Sequence, residues 1–201
     1  MDDYDKQRVG EQVEPGGRPK APGRLELLQR FVNSWNHDLP AEWDRLGTAA
    51  SAGAWLREKR LVSASARVTT RDAARLRELR EAMRALAIAN QGSAPPPASV
   101  AVVRRAARDA TLRIALDQVG HTSLTPAGTG CDAAVATLLG IFHEARITGA
   151  WRRLKGCRQC GYAFFDRSKN RPASWCAMSI CGNRKKNRAY RQRRSNAQPP
   201  S

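Results

Sequence analysis

"GCRQCGYAFFDRSKNRPASWCAMSICGNRKKNRAYRQRR", residues 156–194, decides how this chain is built. It holds four of the five cysteines. Cys157 and Cys160 form C-x2-C, fifteen residues follow, and Cys176 and Cys181 form C-x4-C. Two short-range pairs brought together by a hairpin supply four sulfurs at tetrahedral corners with little ordering cost, which is the pattern of a four-thiolate metal site. Gly161, directly after Cys160, permits the positive-φ turn by which backbone N–H groups can point at a thiolate. "YAFFD" and "ASWC" read as the two strands, with "RSKNRP" as the turn between them. A pair of disulfides is disfavoured in a reducing cytosol. Iron on four thiolates is chemically allowed, but nothing in the sequence adds a reason for redox work, so Zn2+ is the favoured ion. A site closed by four thiolates has no open position for a catalytic water, which argues against a metalloenzyme.

The run after Cys181 carries seven cations: Arg184, Lys185, Lys186, Arg188, Arg191, Arg193 and Arg194. With Cys181 anchoring its start and Gly182 and Asn183 turning into it, the run is expected to be a helix projecting from a metal-pinned base. Arg184, Arg188 and Arg191 share one helical face and Lys186, Tyr190 and Arg193 another, which suits phosphates on both walls of a groove. No heptads follow, so a leucine zipper is excluded.

Working outward, the 201 residues carry a formal net charge of +17. Residues 152–201 hold 14 basic and 1 acidic side chain, so most of the excess sits in the last quarter. So dense a block repels itself unless a polyanion neutralises it, and nucleic acid is the leading partner. DNA ranks above RNA, since no aromatic cluster beyond Tyr162, Phe164 and Phe165 marks a stacking platform, and those three suit the module's small core. A membrane surface ranks well below, because Lys185 to Arg194 offers only Ala189 and Tyr190 as apolar residues. The polar opening, residues 1–23, has no secretory apolar run and reads as a disordered leader, as does the tail at 195–201. A cytoplasmic, nucleoid-associated protein is expected.

Residues 24–150 read as one α-rich domain. Leu25, Leu28, Phe31, Val32 and Trp35 form a helical stripe, and Trp55 and Leu56 follow a Thr48 cap. The clearest helix runs from a Thr69–Asp72 capping pair through Leu76, Leu79, Met83 and Leu86 to an end at Asn90–Gly92, with a basic outer face assigned to solvation. "SVAVVRRAARDA" is a shorter helix, "TLRIALDQVGHTSLTP" a short β-hairpin, and "CDAAVATLLGIFHEARI" a last packing helix. His37, His121 and His143 lie far apart with no nucleophile pattern beside them, and Cys131 reads as a small buried hydrophobe. No catalytic constellation is present, and the chain is not expected to be an enzyme.

The residues also carry a family resemblance. "FFDRSKN" and "WCAMSICGNRKKNRAYRQRR" resemble the CGNR zinc finger at the C-terminus of bacterial proteins with an ABATE domain, regarded as stress-induced transcription regulators. The specific parts are Cys181-Gly182-Asn183-Arg184, Trp175-Cys176, and the turn with Asp166, Ser168 and Asn170. "RFVNSW", Arg30 to Trp35, resembles an F-V-N-T element near the start of the ABATE domain. The first cysteine pair is two residues tighter than the C-x4-C usual in the family. The resemblance implies Cys157, Cys160, Cys176 and Cys181 as zinc ligands and the basic helix as the DNA contact.

The expected architecture is therefore a mainly α N-terminal domain (24–150) with a short β-hairpin. A small zinc-bound β-hairpin/α-helix module, treble-clef-like, follows over 151–194. The expected function is zinc-dependent DNA binding in transcription regulation, with a homodimer and a small-molecule effector of the N-terminal domain as further expectations. An RNA-binding or protein-interaction module is the alternative.

Overall fold

The computed structural model describes residue 14, residues 17–184 and residues 186 and 187. Helices make up about half of it, joined by two small antiparallel hairpins. Helix α1 (Leu25–Val32) buries Leu25, Leu28, Phe31 and Val32, and Trp35 lies just beyond its end. Helices α2 (Ala49–Glu58) and α3 (Thr70–Ala89) each begin at a capping box. Thr48 Oγ1 accepts from Ser51 N while Ser51 Oγ accepts from Thr48 N, and Thr69 and Asp72 repeat the exchange. Each box satisfies two of the N–H groups a helix start leaves unpaired.

Helix α4 (Pro97–Asp109) starts on a proline, where the missing N–H costs nothing. Strands β1 (Leu112–Leu116) and β2 (Thr122–Pro126) form the expected hairpin, pairing Ile114 with Leu124. Helix α5 (Gly130–Ile147) buries Val135, Leu138, Leu139 and Ala145, as its periodicity predicts. These elements enclose one apolar core in which Phe31 tilts against Trp55 (5.8 Å between centroids) and Phe142 meets Trp151 edge-on at 4.7 Å. Cys131 is buried among them. No helix among the described residues is long and apolar enough to cross a membrane.

The second hairpin departs from expectation. Its strands are β3 (Leu154–Gly156) and β4 (Ala163–Phe165), so the C-x2-C pair occupies the turn between them, and 173–176 forms no strand. The reason lies in Lys155 and Asp166. Lys155 Nζ donates to Arg171 O and Ala173 O, and the Asp166 carboxylate accepts from Ala173 N, so side chains take the hydrogen bonds a ladder would have used. Pro172 has no N–H to give.

Pleating sends the hairpin's side chains two ways. Leu154, Ala163 and Phe165 join the helical core, while Tyr162 and Phe164 pack with the cysteines. The helical core thus continues past residue 150.

Where the segment read as a disordered leader is described it packs on the fold: Ala21 is buried and Ala21 N donates to the Gln29 side chain at 2.7 Å, and Glu14 is buried against Gln29 and Tyr162, while residues 1–13, 15 and 16 lie outside the described residues. Two arginines of α3, Arg80 and Arg84, lie on its inner face beside Leu76, Met83 and Ala87 and are fully buried.

Candidate metal centre and basic interface

The four cysteines come from two turns. Cys157 and Cys160 sit in the β3–β4 connection, closed by Cys157 N donating to Tyr162 O (2.8 Å) and Gly161 N to Cys157 O (2.9 Å). Gly161 adopts φ +73° there, a conformation open to glycine at no steric cost. Cys176 lies two residues before a π-helical turn, Met178–Gly182, and Cys181 lies within it, the turn being closed by Cys181 N and Gly182 N on Ala177 O. All four thiols are buried and their sulfurs lie within 4.8 Å of one another.

The separations test the fit to a metal. Tetrahedral coordination with metal–sulfur bonds of about 2.3 Å requires sulfurs about 3.8 Å apart. Cys160 and Cys176 are 3.7 Å apart, Cys176 and Cys181 3.5 Å, and Cys160 and Cys181 3.7 Å. The cysteines are free, and a disulfide would need about 2.05 Å. Their acidities point the same way. Hydrogen bonds from Cys160, Cys176 and Cys181 hold the Cys157 thiol well below its usual range, while the crowded neighbours, Cys157 foremost, push Cys176 and Cys181 far above theirs. Four thiols this close cannot ionise together unaided, and a cation among them removes the conflict. These residues fit a four-thiolate metal ion.

Each knuckle is held from outside by a guanidinium. On the first, Arg84 Nη1 donates to Gly161 O at 2.8 Å, and its Nη2 donates to Val32 O (2.8 Å) and Trp35 O (2.6 Å). His37 N adds a bond to Cys160 O at 3.3 Å. On the second, Arg18 Nε donates to Cys176 O (2.6 Å) and Nη2 to Trp175 O (3.0 Å), with its guanidinium 4.5 Å over the Phe164 ring. Arg80 and Arg84 share Glu81. Burial pushes that carboxyl up, but the two cations outweigh it and hold Glu81 below the usual carboxylate range.

Of the seven expected basic contacts, Arg184 and Lys186 are described; Lys185, Arg188, Arg191, Arg193 and Arg194 lie outside the described residues. Helical backbone resumes at Asn183, one residue after the π-turn, as the anchoring role of Cys181 requires. Arg184 and Lys186 are exposed, and Arg184 Nη1 pairs with Asp38 Oδ2 at 2.7 Å. Sequence reasoning missed Arg18, Arg84 and Asp38. Arg80 and Arg84 did leave a signal, since at i, i+4 they interrupt the apolar stripe of Leu76, Met83 and Ala87. Arg18 left none, because its partners are more than 150 residues away.

Fold and site together define a mainly helical chain with two small hairpins and a cluster of four buried cysteines that could hold a metal ion. Residues 25–172 match the ABATE family, described as "Putative stress-induced transcription regulator", and residues 153–194 match the CGNR zinc finger. The first match spans well over half of the chain, which belongs to the ABATE family. Neither is an enzyme family. No curated protein matches the chain.

Proposed function

We propose that this chain is a zinc-dependent, DNA-binding transcription regulator whose metal, held by Cys157, Cys160, Cys176 and Cys181, fixes the start of a basic recognition helix. Zinc is the ion that four thiolates at these separations suit best, and its part is structural: it neutralises and ties the four sulfurs. The observation that carries the reading is the charge around the centre. Arg184 and Lys186 stand exposed within five residues of Cys181, while Asp166, the one acidic residue of 152–201, is buried. Cations so placed, with Arg184 paired to Asp38 and Lys186 without an acid within ion-pair distance among the described residues, suit a row of phosphates. Lys185, Arg188, Arg191, Arg193 and Arg194 extend the same run.

In this reading the ABATE domain senses a small molecule or mediates assembly as a homodimer, and the protein acts in the cytoplasm at the nucleoid. An apolar groove of about 490 Å3 lined by Val103, Leu112, Leu124, Leu139 and Phe142 supports the first role. Exposed Ile114, Leu116 and Val119 on the first hairpin support the second. The test is a titration of labelled duplex DNA with the zinc-loaded full chain and with Cys176→Ser. The wild type should bind and the variant should lose both zinc and DNA. A variant that binds DNA with wild-type affinity after losing zinc would contradict the reading.

A further inference from the structure

Arginines outside the basic helix converge on a second place. A cleft of about 480 Å3 separates the C-terminal end of α3 from the 166–174 segment, lined by Asn90, Gln91, Arg152, Arg171 and Ser174 among others. Arg158 reaches the same walls, donating from Nη2 to Gln91 O at 3.3 Å and from its backbone N to Ser174 O at 3.2 Å. Arg167 and Lys169 project from the adjoining loop. All five cations are exposed, and none has a carboxylate within ion-pair distance among the described residues.

The backbone beneath this patch is pinned. The Asp166 carboxylate accepts from Ser168 N (3.1 Å), Ser168 Oγ (2.6 Å) and Lys155 Nζ (3.0 Å). Arg153 Nη1 donates to Asp166 O and Ser168 O, both at 3.1 Å. The only carboxylate of the module is thereby consumed inside it, along with the Lys155 ammonium. What faces solvent is a loop of ordered backbone and uncompensated positive charge, which repels itself until an anion arrives. Ordered backbone also lowers the entropic cost of binding. The loop carries no exposed large apolar side chain of the kind a membrane surface would take up.

We infer that this loop and cleft form a second phosphate-binding surface, which seats the sugar–phosphate backbone of the same duplex that the basic helix engages. The inference rests on the DNA-binding reading above and extends it to Arg152, Arg158, Arg167, Lys169 and Arg171. Contacts of this kind position a duplex without reading its sequence.

The experiment measures log K against log salt for the zinc-loaded full chain and for an Arg152→Gln/Lys169→Gln/Arg171→Asn variant. Asn is chosen at 171 because φ is +51° there, a conformation that Asn tolerates. Loss of three phosphate contacts should flatten the slope by about 2–3 and weaken binding to every duplex sequence by a similar factor. A slope equal to the wild type's would overturn the inference while leaving the DNA reading intact. A wild type with no salt-dependent binding would bring down both. If the triple variant loses zinc, Lys169→Glu on the exposed loop replaces it: a larger loss of affinity than Lys169→Gln is expected, and wild-type affinity would overturn the inference.

Discussion

A guanidinium at 1% exposure has to find acceptors for its N–H groups, and Arg84 finds them in the carbonyls of Val32, Trp35 and Gly161 and in Glu81. One side chain thus ties α3 to the end of α1 and to the first metal knuckle. Arg84→Met should cost about 2–5 kcal/mol in denaturant unfolding, because it leaves three carbonyls without their donor and Glu81 short of a cation. A loss below about 1 kcal/mol would show that water replaces the guanidinium. At Glu14, burial pushes the carboxyl up to about 7, against the opposing Tyr162 hydroxyl and the charges of Arg30 and Lys20. A folded-state value above the unfolded one gives stability that is complete below the ordinary value of 4.5 and is lost as pH rises through about 7. The melting temperature should therefore fall between about pH 4.5 and 7, and Glu14→Gln should remove that part of the fall. An equal fall in both proteins would assign it to another group.

At the scale of elements, the second hairpin is where sequence reading and structure part. The helices, the Thr48 cap and the Thr69–Asp72 box were legible because their signals are local: an apolar period near 3.6, and a cap residue with an acceptor three residues on; the Ser51 half of the first box came only with the structure. The cysteine pairs were legible from spacing alone. Strands of three residues carry too little alternation to place, and "ASWC" reads as extended although Lys155 and Asp166 take its partners. The pleat of β3–β4 bears on what metal removal does. Because Leu154, Ala163 and Phe165 belong to the helical core, we propose that the metal-dependent part begins after Phe165 and not at residue 151. Chelation should speed hydrogen exchange at Cys181 and Gly182 while the β3–β4 ladder stays protected. Simultaneous loss of protection in both would instead favour a module that unfolds whole from residue 151. The hairpin lies so close to α3 that a Cβ on Gly156 would stand 2.5 Å from Ile88 Cγ1 and 3.2 Å from Ile88 N. Gly156→Ala should cost about 1–3 kcal/mol through this overpacking, read as a lower urea midpoint.

For the whole molecule, the distribution of charge was legible in the sequence and its internal use was not. Counting residues shows 14 cations against one acid over 152–201, but only the fold shows that the acid, Arg80 and Arg84 are buried and that the half-buried Arg18 lies over Phe164. Long-range pairs such as Arg18 with the Cys176 carbonyl have no local signature, since the two residues meet only after the chain has folded. The same fold places the start of the basic run beside the cysteine cluster, with Arg184 paired to Asp38. We propose that metal, knuckle and helix act as one device, to which zinc would contribute on the order of 10–16 kcal/mol of apparent binding energy. The measurement that bears most directly on this is the salt dependence of DNA binding by the zinc-loaded chain, with and without Arg184→Gln, Arg188→Gln and Arg191→Gln combined. If four to six phosphates are engaged, the wild-type slope of log K against log salt should be about −4 to −5, and the triple variant's should be flatter by about 2–3. Unchanged affinity and slope in a variant that keeps its zinc would contradict the account.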